Sequence, residues 1–251
     1  MRILLLSDIH ANVEGLEASL VAAPEHDVVV NLGDVVGYGG SPNEVTDRSR
    51  QLGTLVVRGN HDKACTGVMG IENFNPIAGL AALWTKQTLT PENLEWLAAL
   101  PQGPLRMEGL EGVQFVHGSP LDEDEYVIVI RDAVEPLMRA EVPLTFFGHT
   151  HIQGAFSLDG ETVETVRPRY LLRHGVESYE IPLRQNVKYL INPGSVGQPR
   201  DGDARAAFVL FDTEKYCIVF YRVPYNIEQA QKRIIEAKLP ERLATRLADG
   251  R

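Results

Sequence analysis

The chain has 251 residues, 44% of them apolar, and a formal net charge of −10. That length and apolar content predict one α/β domain with a sizeable core, while the acidic balance argues against binding long nucleic acid or a membrane surface through bulk positive charge. The first apolar run is stopped at once by Ser7-Asp8, too early for a leader, and no window approaches the ~18 apolar residues of a membrane span. Cys65 and Cys217 lie far apart and form no ligand-like pair, so a reducing, cytoplasmic compartment is expected.

The first third alternates short apolar runs with helical patterns. Ile3–Leu6 predicts a strand and Val13–Ala23 a helix, capped by Asn12 with Glu14 at the positive end of its dipole. Val28–Asn31 predicts a second strand. Ser41-Pro42-Asn43-Glu44 opens the next helix with a Ser cap, Pro at the first helical position and Glu three after the cap. Leu55–Val57 predicts a third strand, and the alternation implies parallel pairing in a doubly wound, layered α/β architecture. Residues 65–105 break the pattern with an Ala/Leu-rich helix near Ile77–Leu89 and another after Thr90-Pro91-Glu92, which together read as an inserted helical cap. Leu105–Met107 and Val113–Val116 predict two strands, Ala133–Ala140 a helix, and Leu144–Phe147 a strand. Alternation between 155 and 190 suggests antiparallel hairpins. Ala206–Phe211 and Tyr216–Val223 form a strand pair, followed by a helix from Asn226 to about Lys238 and a short amphipathic tail.

Five predicted strands run into polar, glycine-flanked blocks. These are Ser7-Asp8-Ile9-His10, Gly33-Asp34, Gly59-Asn60-His61-Asp62, His117-Gly118 and Gly148-His149-Thr150-His151. Ligand sites in open α/β sheets form beyond the carboxyl ends of strands, so residues 8 to 151 should converge in one crevice. Five of the seven histidines fall in these blocks; His26 and His174 carry no assignment. Two carboxylates, an amide oxygen and four imidazoles make an oxygen/nitrogen donor set for divalent transition metals such as Mn, Fe, Zn or Ni, and the absence of thiolate excludes a zinc finger. Seven ligands suit two metals sharing a bridge, for which Asp34 is the natural carboxylate. Two divalent ions against Asp8 and Asp34 leave about +2, enough to draw an anionic ester to an acidic protein.

The ordered blocks Asp-x-His, Gly-Asp, Gly-Asn-His-Asp, His-Gly and Gly-His-x-His resemble the calcineurin-like metallophosphoesterase superfamily, and Asn192–Gly197 and Arg222-Val223-Pro224-Tyr225 look like its small bacterial members. The resemblance implies two packed mixed β-sheets flanked by helices. It implies one metal on Asp8, His10, Asp34 and His151, and the other on Asp34, Asn60, His117 and His149. It also implies hydrolysis of a phosphate ester by a metal-bridging hydroxide, with His61 beside the leaving group and Asp62 orienting His61. Arg200 and Tyr38 are weaker candidates for substrate contact. The family's protein phosphatases and dinucleoside tetraphosphatases carry an Arg shortly after Gly-Asp. Here Val35-Val36-Gly37-Tyr38 follows, so both activities rank below a phosphodiesterase or phosphatase acting on a phosphorylated small molecule or nucleotide. A metal-binding interaction scaffold is the non-enzyme alternative, set back by the filled ligand positions. The apolar faces of the cap and C-terminal helix also suit a homo-oligomer.

Overall fold

In the structure, a computed structural model, residues 1–251 are described except Thr54, Asn73 and Arg173. Its frame is a pair of mixed sheets. The first has six strands in the order β3-β2-β1-β10-β11-β8, drawn from β1 (Arg2–Leu6), β2 (Val28–Asn31), β3 (Leu55–Val56), β8 (Glu177–Pro182), β10 (Ala206–Asp212) and β11 (Cys217–Val223). The second has five, β4-β5-β9-β6-β7, from β4 (Val113–Phe115), β5 (Leu144–Phe146), β6 (Gly154–Asp159), β7 (Thr162–Val166) and β9 (Lys188–Asn192). Pairing is parallel only within β3-β2-β1 and β4-β5-β9 and antiparallel elsewhere. The fully parallel, doubly wound arrangement is thus limited to one half of each sheet.

Strand alternation builds two cores from β1 alone. Ile3 and Leu5 point between the sheets with Phe115, Phe146, Val209 and Phe211. Leu4 and Leu6 point outward to the helical layer of α1 (Val13–Ala22) and α2 (Pro42–Gln51), with Leu16, Val29 and Val45. Such period-two burial on both faces explains why the strand reads as an uninterrupted apolar run. Against the outer face of the second sheet, α6 (Ile130–Arg139) packs Ala133 and Leu137 on Phe147 and Leu190.

Asn12 caps α1, its Oδ1 accepting from Gly15 N at 3.0 Å. Ser41 stands at the start of α2 but makes no cap bond, and Glu44 turns to Arg233, 3.3 Å away on α7 (Ile227–Glu236). Leu105–Met107 is not a strand; Leu105 forms an isolated bridge to Phe115. Among the described residues only β6 and β7 make the hairpin expected between 155 and 190. The apolar Lys188–Asn192 run enters the middle of the second sheet parallel to β5, whereas the alternating Glu177–Pro182 crosses to the edge of the first.

The 65–105 segment supplies the end of α3 (Asn60–Thr66), then α4 (Pro76–Thr88) and α5 (Pro91–Ala98). Ala78 and Ala81 of α4 pack with Ile234 of α7 and with Leu243 and Leu247 of α8 (Glu241–Asp249). The insert is therefore a side wall joined to the C-terminal helices. Among the described residues no helix is long and apolar enough to cross a membrane.

Candidate metal centre

The loops after β1, β2, β3, β4 and β5 meet at one end of the two-sheet stack. They bring together Asp8 and His10, Asp34, Asn60, His117, and His149 with His151. Every candidate ion would draw on both sheets, because the first three loops leave the first sheet and the last two leave the second. Asp8, His10, Asp34, His149 and His151 all have positive φ, between 49° and 66°. Left-handed backbone costs a non-glycine residue of order 1–3 kcal/mol, and Asp, Asn and His tolerate it best. Five such residues in one centre mark backbone bent to aim side chains inward. Gly59 serves another need: a Cβ there would lie 2.1 Å from Asp34 Oδ1 and 2.3 Å from its backbone nitrogen.

Asp8, His10, Asp34 and His151 form one cluster of donor atoms, and Asp34, His117 and His149 another, each within 4.8 Å. Asp34 Oδ2 lies 3.5 Å from Nε2 of both His10 and His117, so one carboxylate faces both clusters. His151 Nε2 is 3.4 Å from Asp8 Oδ1 and 3.0 Å from His10 Nε2. Asn60 Oδ1 joins the second cluster, 3.2 Å from His117 Nε2.

The surroundings fix which atoms face inward. Nδ1 of His10, His117 and His151 meets the carbonyls of Val36, Leu32 and Gln198 at 3.1, 2.8 and 2.6 Å. An imidazole that donates from Nδ1 keeps its Nε2 lone pair for a metal. His149 reverses the pattern, with Nε2 3.2 Å from the Asp124 carbonyl, leaving Nδ1 for the centre. The loop after β9 braces these turns. Val196 and Gly197 donate backbone N–H groups to the carbonyls of Ser7 and Asp8 at 3.0 Å, Ser195 Oγ donates to Asp8 O at 2.7 Å, and Asn192 Nδ2 donates to Gly148 O at 2.8 Å.

Burial holds His10 and His151 well below the usual imidazole range and His149 down to about 3, so these rings are neutral at pH 7. For His117, burial opposes charge, but Asp34 and Asp8 outweigh it and push the ring up to about 9. Burial raises Asp8 to about 7. Burial acts on Asp34 too, yet His117, His61 and His10 overcome it and hold that carboxyl well below its ordinary value. This donor set fits a pair of divalent cations: oxygen and nitrogen donors, one shared carboxylate, and imidazoles already oriented by carbonyls.

The Asp62 carboxylate makes no hydrogen bond to the His61 ring. Its Oδ2 accepts from the backbone N–H groups of Asp34 and Gly59, both at 2.9 Å, and its Oδ1 from Val36 N at 3.2 Å. Burial, then Asp34, pushes this carboxyl up to about 7. The His61 ring is held by packing, its centroid 4.3 Å from Tyr38, 4.8 Å from Phe74 and 4.9 Å from His10. Among the described residues its Nδ1 is buried without a hydrogen-bond partner, and burial drives the ring down to about 4.

Beside Asn60, His61 and His149 lies a cavity of about 270 Å³, walled by Tyr38, Met69, Phe74, Asn75, Ala78, Asp124 and Tyr126. Tyr38 is buried and faces it, while the guanidinium carbon of Arg200 lies 5.6 Å from the Tyr38 ring centroid. Tyr126, with its ring centroid 3.8 Å from that of His149, has no block in the sequence to announce it; neither has Phe74. Lys63 fixes this wall, donating to both oxygens of Asp124 at 2.7 Å.

The profile of the calcineurin-like phosphoesterase superfamily domain matches residues 1–216. The chain belongs to that superfamily. An uncharacterised protein of Methanocaldococcus jannaschii is 38% identical over 253 residues, covering 99% of this chain and 98% of its own length. The crystal structure of a metallophosphoesterase from Sphaerobacter thermophilus superposes with a TM-score of 0.82 at 38% identity, covering 100% of this chain and 99% of the other. A hypothetical protein from Pyrococcus horikoshii shares the fold, with a TM-score of 0.79 at 19% identity over 100% and 98% of the two chains. In this calcineurin-like chain the centre lies wholly within the matched region, whereas β11, α7 and α8 lie beyond it.

Proposed function

We propose that the chain hydrolyses phosphate esters of a small molecule or nucleotide, with one divalent metal on Asp8, His10, Asp34 and His151 and a second on Asp34, Asn60, His117 and His149. The observation that carries this reading is the Asp34 carboxylate, with one oxygen 3.5 Å from a ring nitrogen of each cluster. Divalent ions bound there supply an activated water and positive charge against the phosphoryl oxygens.

The protein's own residues do the rest. Asp34 Oδ1 accepts from His61 N at 2.8 Å, so the turn that carries His61 is anchored to the shared carboxylate. The His61 ring, neutral at pH 7, serves the leaving oxygen as a hydrogen-bond donor. Asp62 ties Gly59, Asp34 and Val36 into one rigid turn, and so acts on the ligand geometry. The cavity, with Phe74, Met69 and Tyr126 around it, fits an apolar or aromatic substituent of a small ester better than a protein segment. The cytoplasm is the compartment we assign, since Cys65 and Cys217 are both buried free thiols.

The test is hydrolysis of a chromogenic phosphodiester and its monoester by metal-stripped protein refilled with Mn²⁺, with His149→Ala alongside. Cleavage that the variant abolishes supports the reading, and the diester-to-monoester ratio sorts the substrate class. Two bound metals without cleavage of either ester would overturn it.

A further inference from the structure

The outer nitrogen of His149 depends on a loop. Among the described residues the sole hydrogen-bond partner of its Nε2 is the Asp124 carbonyl, 3.2 Å away. Asp124 lies outside every helix and strand, so that carbonyl is only as fixed as the segment that carries it. Two cations from the segment between β3 and the end of α3 grip this loop. Lys63 of α3 donates Nζ to both oxygens of Asp124 at 2.7 Å and lies 3.0 Å from Glu123 Oε1. Arg58 donates Nε and Nη2 to the Glu123 carboxylate at 2.9 and 2.8 Å. Inside the loop, Asp124 N donates to Asp122 Oδ1 and Ser119 N to the Asp122 carbonyl, both at 2.9 Å. Lys63 is 5% exposed, the one buried lysine among the described residues, and lysine is rarely buried unless its charge is met. It stands three residues after Asn60 on α3. The helix that brings Asn60 to the second cluster therefore also holds the loop against which another side chain of that cluster is set.

We propose that Lys63 is a positioning residue for the second metal alone: by holding the Asp124 side chain it fixes the Asp124 carbonyl, and through that carbonyl the angle and tautomer of the His149 ring. The proposal rests on the two-metal reading above and deepens it by tying an outer group to one of the two ions. Among the described residues Lys63 Nζ bonds only to Asp124 and Glu123, so it acts through the loop and not on a ligand. Nothing in this clamp bonds to Asp8, His10 or His151, whose outer contacts are the Val36 and Gln198 carbonyls and the loop after β9. Without the lysine, two adjacent carboxylates keep only Arg58 between them, and their repulsion opens the loop and draws the carbonyl from His149 Nε2. The Tyr126 ring, centroid 3.8 Å from that of His149, still packs on the imidazole but does not choose which nitrogen faces the centre.

The experiment is calorimetric titration of metal-stripped full-length chain with Mn²⁺, for the wild type, Lys63→Met, Lys63→Arg and Asp124→Ala. The wild type should take up two ions. Lys63→Met should bind one of them within about twofold of the wild-type affinity and the other roughly 10–100-fold more weakly, the usual cost of removing a group that orients a ligand. Lys63→Arg keeps a cation for Asp124 and should recover most of the loss. Asp124→Ala keeps the carbonyl without the grip, so it should weaken the same ion, and adding Lys63→Met to it should cost less than about a further twofold. A lysine that merely stabilised the fold would weaken both ions alike. That outcome, two ions held as tightly as in the wild type, or Lys63→Arg behaving like Lys63→Met overturns the proposal. Should Lys63→Met fail to fold, Asp124→Ala, at a half-exposed position, decides by the same criterion. Fewer than two ions on the wild type would overturn the two-metal reading itself, and this shows before any substitution is compared.

Discussion

Replacing Asp62 separates two roles that the sequence cannot distinguish. If the carboxylate worked through the His61 ring, Asp62→Asn would lower turnover and leave the metals in place. The structure predicts otherwise, because Asp62 accepts three buried N–H groups, from Gly59, Asp34 and Val36, and none from His61. Each buried donor left without an acceptor costs roughly 1–3 kcal/mol. Asp62→Ala strands all three, a loss of about 3 kcal/mol or more, equivalent to a fall in Tm of at least about 6 °C for a chain this long. Asp62→Asn keeps one oxygen for Asp34 N and Gly59 N but turns an amide NH₂ toward Val36 N, so its cost should be about that of a single bond. The freed turn carries Asp34, so metal content should fall with stability, in the order wild type, Asn, Ala. Thermal melting combined with metal analysis by mass spectrometry after dialysis reads both. An Asp62→Ala protein that melts like wild type and keeps two metals, with only turnover lost, would refute the reasoning.

Asp34→Asn should lose both metals, since its neutral amide replaces the one carboxylate facing both clusters; metal analysis still finding two ions per chain would refute this. His61→Ala should keep both metals yet lose roughly 10²-fold or more of turnover on alkyl esters and much less on nitrophenyl esters, and equal losses on the two would deny the ring its place at the leaving oxygen. Between pH 7 and 9 the metal-free chain should lose stability as pH rises. The folded-state value of His117 is raised to about 9, so its contribution is full below the unfolded value near 6.5 and disappears as pH passes through the folded one. A metal must displace that same proton, so apparent metal affinity should climb over this window and calorimetry in buffers of different ionisation enthalpy should record proton release; a flat profile would contradict the placement of Asp34 beside this ring. Gly59→Ala should cost about 1–3 kcal/mol and weaken metal retention, because its Cβ meets both the Asp34 carboxylate and the Asp34 backbone nitrogen, which cannot move aside.

Much of the centre was legible because its residues follow strands, and short apolar runs ending in Asp, His or Gly stand out whatever the sheet order. The partners of those residues were harder to read. Asp62 next to His61 suggests a side-chain pair, but its acceptors face backbone amides from two other turns, and amides carry no sequence mark. α3 hid within the Gly-Asn-His-Asp block because it is one short helix of 7 residues without an apolar face. Tyr126 opens the run Tyr126-Val127-Ile128-Val129-Ile130, which reads like a strand, yet outside every strand it places its ring on His149. The destinations of β8 and β9 depend on which sheet edge remains open, a property of the assembled sandwich.

The division of the donors between the two sheets has a mechanical consequence. Neither sheet alone can grip an ion: His151 must come from the second to complete the first cluster, and Asp34 from the first to complete the second. Bound ions would therefore act as rivets through the open end of the sandwich, holding the β1–β2 and β4–β5 ends at a set separation while Phe115, Phe146 and Phe211 hold the layers together farther in. Stripping the ions should loosen this end first, as faster amide exchange confined to the strand tips, with the aromatic interior still closed.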